Sequence, residues 1–433
     1  MNQSLTETFI DGLFAKLQAI PDRVIQQAKK CLLDYIGVAV GGARYLQEHH
    51  LHFFESFTKD TGDCSVFGTD YKTTSANAAL LNGFSAHVLE LDDGHRKGMI
   101  HLGASIISAV LAVSEKENIS FDAFVCGIIM GYEAAVRCAC ALQPGHKVRG
   151  YHVSGTCGTI GSAIGVSFAC GYNREQIKST LACAVTSAAG VLEIQEEASE
   201  LKPYNLGRAA MDGLVAAQMG RMALCGPDDI MGGKHGFLAV LTDTPTSSYL
   251  TDFSNEDYCI EGIYQKVYAA CRHCHPAIEA AIGIRNDVGL KPDQIDKVDV
   301  HTYKLAVGGH GHRIIQGISS AKLSTPYSVA LALVKGNAGN EDFNEDNLVD
   351  PDILELTQKV SVIEDKQFTV QSPMVRGARV VIRLKNGKKY ENSVLYPKGE
   401  PENPIRHEEI KQKVDALIQN NKDGLVKSFI NNL

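Results

Sequence analysis

Side chains that can move protons are concentrated in five short segments of this 433-residue chain, at residues 87–101, 150–152, 201–210, 271–276 and 322–330. These segments contain histidines, lysines, carboxylates and tyrosines. Removing a proton next to a carboxylate, or protonating a leaving group, requires acids and bases that titrate near neutrality. Cations are also needed to hold the substrate's negative charge. The residue types therefore indicate acid–base chemistry on an anionic substrate.

The elements that must position these segments are helices over the first 250 residues. Many are rich in Ala, Gly and Ser and apolar on nearly all faces, which indicates helices buried on several sides. A helix that starts at Pro21 is predicted to end at Gly41 and Gly42, and Thr73, Thr74 or Ser75 is predicted to cap the next one. Further helices are predicted at residues 104–116, 121–142, 155–170, 174–189 and 207–224.

The pattern changes after about residue 265, where alternation with a period of two indicates strands. Helices 276–288 and 325–336 lie among them, which indicates an α+β module with an antiparallel sheet. The predicted strands cover residues 297–303, 360–364, 378–384 and 389–396, with an Asn-Gly turn before the last.

These patterns predict a mainly α chain with a smaller α+β domain inserted into a large all-α domain. The helical domain covers residues 1–265 and the α+β domain residues 266–397. Residues 398–433, with a helix at 408–418 and a last short helix, return to the helical domain.

Composition and charge argue against several classes of protein. The formal net charge of −8 disfavours nucleic-acid binding, which needs a clustered basic face. The first 16 residues lack the basic start and apolar run of a secretory signal, and the apolar stretches 103–114 and 180–192 are shorter than a membrane span. We expect a cytoplasmic protein that binds neither nucleic acid nor membrane. Its twelve cysteines are expected to be unpaired, with those at 126, 138, 157, 170 and 183 buried.

Three motifs that could bind a cofactor lack the context they need. Residues 271–275 match the C-x-x-C-H pattern of attached haem, but we expect no export signal, and no second ligand pair for zinc follows. The glycines between 155 and 165 follow a loop, whereas a dinucleotide fingerprint follows a strand, so close helix packing is favoured. The Gly-His loop at 308–312 is interpreted as flexible, with anion binding left open. We predict no metal and no cofactor, and a partial zinc site at 271–275 is the alternative.

Five motifs in a fixed order make the chain resemble the MmgE/PrpD family of 2-methylcitrate dehydratases, cis-aconitate decarboxylases and iminodisuccinate epimerases. The resemblance covers nearly the whole chain. It implies a helical domain with a smaller α+β lid, a homodimer formed through the helical part, and a site between the domains. The motifs are L-x-L-D-D before His101-Leu-Gly-Ala, Tyr-His152-x-x-Gly-Thr, Lys202-Pro-x-x-x-Gly-Arg-Ala-Ala, Cys-Arg-His-Cys-His275-Pro-Ala-Ile-Glu-Ala-Ala and Leu-Ser-Thr-Pro-Tyr327-Ser-Val-Ala.

Matched by position, the resemblance implies a catalytic set and a substrate-binding set of residues. His101 and His152 would transfer protons, and Tyr327 would orient or protonate the substrate. Lys202 and His275 would hold its carboxylates. The catalytic set is His101, His152, Lys202, Glu90 and Tyr327, and His275 is the substrate-binding residue that the resemblance supplies. We add Asp93 and Arg96 to the predicted substrate-binding set, although the resemblance itself does not carry them over. Taken singly, each of these residues also has a purely structural interpretation, as a structural histidine, a turn-capping aspartate, a solvated lysine or a core tyrosine.

The chain departs from the family pattern where Glu90 replaces a usual aspartate and Leu102 a usual proline, and Arg96 and Lys97 add positive charge beside the site. The spacing from the Asp-Asp pair to His101 also looks one residue longer than in the decarboxylases. The resemblance implies a cofactor-independent enzyme acting on a small anionic di- or tricarboxylate. The first hypothesis is a lyase that eliminates water, as in 2-methylcitrate dehydratase. An epimerase of an iminodisuccinate-like acid and a cis-aconitate-type decarboxylase are the alternatives, with a non-catalytic binding protein as the alternative from another class.

Overall fold

A computed structural model describes residues 3–50, 52–196, 199–419, 426 and 430. The chain separates into two compact units. The first unit comprises Met1–Ile194, Leu201–Tyr264 and Arg406–Leu433, and the second comprises Gln195–Glu200 and Gln265–Ile405. The sequence predicts a return at residue 398, whereas residues 398–405 stay with the second unit. Glu400 contributes to this placement because it forms a buried ion pair with Arg272 at 2.8 Å.

The first unit is built almost entirely of helices, with two short strand pairs among its described residues. The pairs are β1 (Cys64–Ser65) with β2 (Lys72–Thr73) and β3 (Gly94–His95) with β4 (Ile263–Tyr264). Its helices up to residue 264 are α1 (Leu5–Leu17), α2 (Asp22–His49), α3 (Ser75–Val88), α4 (Gly103–Glu117), α5 (Phe121–Leu142), α6 (Gly145–Val148), α7 (Val153–Ala169), α8 (Arg174–Ser187), α9 (Tyr204–Gly220), α10 (Phe237–Leu241) and α11 (Ser248–Thr251).

The second unit combines seven α-helices with a four-stranded sheet in its described residues. Its helices are α12 (His275–Val288), α13 (Lys304–His310), α14 (Ile318–Leu323), α15 (Thr325–Lys335), α16 (Glu345–Leu348), α17 (Pro351–Lys359) and α18 (Lys366–Gln371). Its strands are β5 (Ile295–Thr302), β6 (Val360–Glu364), β7 (Ala378–Leu384) and β8 (Lys389–Val394). Helix α19 (His407–Leu417) then rejoins the first unit, and the predicted last short helix lies largely outside the described residues.

The mainly α fold class is confirmed. The prediction of a purely antiparallel sheet is wrong, because β5 pairs with β6 in parallel and with β7 antiparallel, in the order β6-β5-β7-β8. A parallel pair needs a long crossover connection. The 57 residues between Thr302 and Val360 supply that connection, and they contain helices α13 to α17.

The prediction that Gly41 and Gly42 end a helix is also wrong, since α2 continues through them to His49. Gly42 serves close packing, because a Cβ there would lie 1.8 Å from the carbonyl oxygen of Ser85 in α3. Tertiary contact therefore outweighs the weak helix propensity of glycine.

Glycines on α7 serve the same purpose, which confirms the packing interpretation of that motif. A Cβ on Gly161 would lie 2.6 Å from the Cβ of Ala135 in α5, and one on Gly158 would lie 2.9 Å from the Oγ of Ser105 in α4. Helix α7 is buried along its entire length. It thereby forms a core against which helices α4 and α9 pack. Residues just before these two helices, His101 and Lys202, are among the predicted catalytic residues.

Helix α5 is long and apolar enough, by length and composition, to cross a membrane. In its most apolar window, however, 94% of the residues are buried inside the protein. Its Glu133 and Arg137 form an ion pair at 2.6 Å, which interrupts the apolar run. Such burial is typical of a core helix.

No disulfide bond joins any two of the twelve cysteines, as predicted, and all twelve lie in the part of the chain that the structure describes. Cys138 and Cys157 are buried, whereas Cys126, Cys170 and Cys183 are half-buried, so the prediction of burial holds for two of the five.

Candidate active site

The site begins where α3 ends. His87 lies in the last turn of α3 and is fully buried. Glu90 follows with a φ of 54°, in the left-handed region that residues other than glycine rarely adopt. Its Oε1 lies 3.4 Å from Nε2 of His87. Strained backbone of this kind persists only where surrounding contacts hold it, and it is concentrated at functional sites.

Asp92 joins two histidines through one carboxylate oxygen. Its Oδ2 lies 2.8 Å from Nδ1 of His87 and 3.3 Å from Nδ1 of His101. The same His101 nitrogen lies 2.8 Å from the backbone carbonyl oxygen of Asp93. Because a carbonyl oxygen only accepts, Nδ1 of His101 carries the hydrogen. In the neutral ring Nε2 of His101 is therefore a proton acceptor.

Asp93 fixes the loop that carries His101. Its carboxylate accepts hydrogen bonds from the backbone N–H of Gly103 at 2.9 Å and from the hydroxyl of Tyr132 at 2.6 Å. Burial raises the pKa of Asp93 from the ordinary 3.8 to about 6, although these two bonds oppose the rise. The contacts place its carboxylate at the start of α4, where the helix dipole favours negative charge. The role of Asp93 in substrate binding stays a prediction.

Lys202 supplies the cation of the site. It lies just before α9, and its Nζ donates a hydrogen bond to Oε1 of Glu90. Side chains of Lys202 and Glu90 are only 9% and 10% exposed, so the pair is nearly removed from water. A buried ion pair of this kind must offset a large desolvation cost, so removing one partner leaves a costly buried charge.

His152 lies at the start of α7 and is buried. The side-chain amide of Asn205 in α9 donates to its Nδ1 at 2.9 Å. Since an amide nitrogen only donates, Nδ1 is the acceptor and Nε2 carries the hydrogen in the neutral ring. Burial, followed by the charge of Lys202, lowers the pKa of His152 well below 6.5. His152 is therefore a neutral hydrogen-bond donor at neutral pH.

These contacts form one continuous chain of titratable groups, which runs from Lys202 through Glu90, His87 and Asp92 to His101. Nδ1 or Nε2 of the two histidines and the Asp92 carboxylate lie within 4.8 Å of one another and could hold a metal ion. The first unit thus brings together four residues that the sequence assigns to the catalytic set: Glu90, His101, His152 and Lys202.

The three other predicted site residues are Arg96, His275 and Tyr327. Arg96 is half-buried in the turn after β3. His275 and Tyr327 belong to the second unit and are fully buried. Nδ1 of His275 accepts from the Arg272 guanidinium at 2.9 Å, and its Nε2 donates to the carbonyl oxygen of Ala270 at 3.1 Å. Within the described residues the Tyr327 hydroxyl has no hydrogen-bond partner, and burial raises its pKa.

Sequence reasoning assigned no role to three residues that the structure places in the site: His87, Asp92 and Asn205. A signal existed for His87, which lies three residues before Glu90 at a predicted helix end and therefore on the same face. Asp92 belongs to the L-x-L-D-D motif, but the resemblance assigns it no role. Nothing in the sequence connects Asn205 with His152, because the contact joins α7 to α9.

Comparisons with known proteins agree with the motifs. The chain matches the family models described as MmgE/PrpD N-terminal domain, over residues 9–250, and MmgE/PrpD C-terminal domain, over residues 268–423. It is 26% identical to a cis-aconitate decarboxylase of Aspergillus terreus, over 92% of this chain and 86% of that protein. It is 22% identical to cis-aconitate decarboxylase of Homo sapiens, over 96% and 88%. Mitochondrial 2-methylcitrate dehydratase of Yarrowia lipolytica is 22% identical, over 87% and 76%. By their names, these relatives are lyases.

Proposed function

The chain belongs to the MmgE/PrpD family, and on that premise we propose that it is a lyase acting on a small di- or tricarboxylate by acid–base catalysis. The observation that carries the proposal is the pair of opposite histidine tautomers in the first unit. His101 offers Nε2 as an acceptor, whereas His152 offers Nε2–H as a donor. Elimination next to a carboxylate needs both, since one group removes a proton and another stabilises the charge that develops.

In the proposed elimination of water, Nε2 of His101 removes the proton from the carbon next to a substrate carboxylate. The Asp92 carboxylate stabilises the resulting imidazolium, because its Oδ2 lies 3.3 Å from Nδ1. Electrons of the broken C–H bond form the double bond as the C–O bond breaks. His101 returns the proton to the departing hydroxyl, so that water leaves and the base is regenerated.

His152 and Lys202 would stabilise the charge on the substrate carboxylate during this step. A neutral imidazole N–H needs no proton transfer in order to do so. An ammonium group has three N–H donors, so Lys202 can bind a carboxylate while it keeps its bond to Glu90. This arrangement supports an anionic substrate even though the whole chain has a formal charge of −8.

Decarboxylation is the second candidate, and the relatives from Aspergillus terreus and Homo sapiens favour it by name. In that reaction a C–C bond breaks, carbon dioxide leaves, and the electron pair left on carbon takes up a proton. His101 in its protonated form would then donate that proton to the carbon. The same residues therefore serve both reactions, and only the products distinguish them.

The test is a panel of carboxylates that includes 2-methylcitrate and cis-aconitate, read by mass spectrometry and by proton NMR in deuterated water. Loss of water from a hydroxy acid supports the first candidate, and loss of carbon dioxide supports the second. Exchange of a carbon-bound proton without either loss would overturn the lyase proposal in favour of an isomerase. Tight binding without turnover of any member would overturn it in favour of a binding protein.

A further inference from the structure

Three side chains with nitrogen or sulfur ligand atoms meet in the second unit: Cys271, His273 and His310. Their ligand atoms all lie within 4.8 Å of one another. Sγ of Cys271 lies 3.6 Å from Nε2 of His310, and the rings of His273 and His310 stack with centroids 4.9 Å apart. The cluster unites two sequence motifs, the Cys-Arg-His-Cys-His segment and the Gly-His motif at 308–312. The prediction of a flexible loop at the second motif is wrong for residues 308–310, which belong to α13.

Backbone contacts position this cluster. The backbone N–H of Cys271 donates to the carbonyl oxygen of Lys322 at 2.8 Å, which ties the segment before α12 to α14. His310 is the last residue of α13, and its Nδ1 donates to the carbonyl oxygen of Leu323 at 2.8 Å. Both ligand-bearing segments are thus anchored to the end of α14.

The spacing fits tetrahedral coordination of zinc. Bond lengths of about 2.3 Å for Zn–S and about 2.0–2.1 Å for Zn–N place the two ligand atoms about 3.6 Å apart at a tetrahedral angle. The same separation is found between Sγ of Cys271 and Nε2 of His310. All three side chains are half-buried, so an ion can reach them from solvent.

The outer contacts of both histidines also suit a metal. A histidine that binds metal through one nitrogen usually bonds through the other to a carbonyl or another fixed polar group. Nδ1 of His310 makes such a bond to Leu323, which directs the unprotonated Nε2 toward Cys271. Nδ1 of His273 hydrogen-bonds to the hydroxyl of the fully buried Tyr303.

The rest of the C-x-x-C-H segment is used differently. Cys274 is fully buried, and its Sγ accepts a hydrogen bond from Oγ1 of Thr325 at 3.4 Å. Both ring nitrogens of His275 bond within the second unit, as described above. The metal pattern is therefore Cys-x-His plus a distant histidine, which lacks the second pair that sequence spacing rules require.

We propose that Cys271, His273 and His310 bind a zinc ion and leave its fourth position to water or to an exogenous ligand. Thiolate and imidazole ligands favour zinc over magnesium or calcium. On binding, the S–H bond of Cys271 breaks, the S–Zn bond forms, and the proton passes to the buffer. His273 binds through Nε2 and His310 through Nε2, each as a neutral ring.

The test is a titration of the metal-free full chain with cobalt(II), a zinc substitute whose bond to a thiolate gives a charge-transfer absorption. We expect one thiolate-bound cobalt per chain, displaced by zinc, with tighter binding at higher pH. Cys271→Ser should abolish the absorption. Tyr303→Phe removes the hydroxyl that bonds to His273 and should lower the affinity for the metal about 10–100-fold. His310→Asn keeps a donor near the Leu323 carbonyl but removes a metal ligand, so it should lower the affinity further.

Two controls separate this site from others. Cys225→Ser, at an exposed cysteine, and His312→Ala, two residues after His310, should leave the absorption and the affinity unchanged. The absence of the absorption in the wild-type chain would overturn the proposal and leave a thiol–imidazole contact without metal. Persistence of the absorption in Cys271→Ser would also overturn it, because a different cysteine would then bind the cobalt. Because binding is read without substrate, a failed turnover assay does not affect this result.

Discussion

The side-chain amide of Asn205 donates to Nδ1 of His152 at 2.9 Å, and this contact determines which nitrogen of the ring carries hydrogen. At His101 the backbone carbonyl of Asp93 imposes the opposite tautomer, at 2.8 Å. One helical unit therefore presents a histidine acceptor and a histidine donor. One fixed neighbour therefore gives each ring its chemical role: the Asn205 amide for His152 and the Asp93 carbonyl for His101.

Asn205→Asp should reverse the tautomer of His152, because a carboxylate can only accept a hydrogen bond. The ring would then carry hydrogen on Nδ1, and its pKa would rise toward the ordinary range. We expect kcat to fall about 10²–10³-fold, as for loss of a donor to a developing negative charge. Nitrogen-15 NMR of labelled histidine should show the hydrogen moving from Nε2 to Nδ1. Asn173→Asp, at the N-cap of α8, is the matched control and should change neither.

Asp92→Asn should slow turnover about 10²–10⁴-fold, because the imidazolium formed on His101 loses its counter-charge. The acidic limb of the profile of kcat/KM against pH should also move to lower pH, since a positive ring is then less stable. A merely structural role for Asp92 would lower the rate without moving that limb.

Asp93 should make stability depend on pH in the direction opposite to most carboxylates. Its pKa rises on folding from 3.8 to about 6, so the folded state stays protonated at pH values at which the unfolded state has lost the proton. The protonated Asp93 therefore contributes to the stability of the folded state at low pH. This contribution is fully present below about pH 4 and is lost as pH rises through about 6. Relative to Asp93→Asn, the wild-type free energy of unfolding should therefore fall by on the order of 2–3 kcal/mol between pH 4 and pH 7. Urea unfolding of both proteins measures it, and parallel pH curves would contradict the account.

Lys202→Met should destabilise the first unit by roughly 3–5 kcal/mol, because it leaves the Glu90 carboxylate buried without its partner. Glu90→Gln in the same background should restore most of the loss. Urea unfolding of the wild type, both single variants and the double variant gives the coupling energy directly. Additive effects would show that the pair contributes little.

Local structure could be predicted well where the relevant contacts are local. The bounds of α5 agree with the prediction because Ser120 caps its first turn, accepting from the N–H of Ala123. Gly42 could not be interpreted correctly, since the carbonyl of Ser85 that requires it lies in another helix. The parallel pairing of β5 with β6 has no signature in the alternation of either strand.

The candidate site shows the same difference between local features, which the sequence predicts, and contacts between distant elements, which it does not. The motifs identified His101, His152 and Lys202, but their states depend on partners that only the fold supplies. Asn205 lies 53 residues from His152, and His310 lies 39 residues from Cys271. No spacing rule connects such pairs, because the intervening residues form complete helices and strands.

The most direct test of the proposed catalysis is the turnover rate of His101→Asn on the acid that the carboxylate panel identifies. Asparagine keeps an N–H near the position of Nδ1, which donates to the Asp93 carbonyl, and removes Nε2. We predict that loss of water or carbon dioxide slows at least about 10²-fold, whereas His49→Asn, at an exposed histidine of α2, keeps the wild-type rate. A His101→Asn protein that is folded and turns over at the wild-type rate would contradict the account.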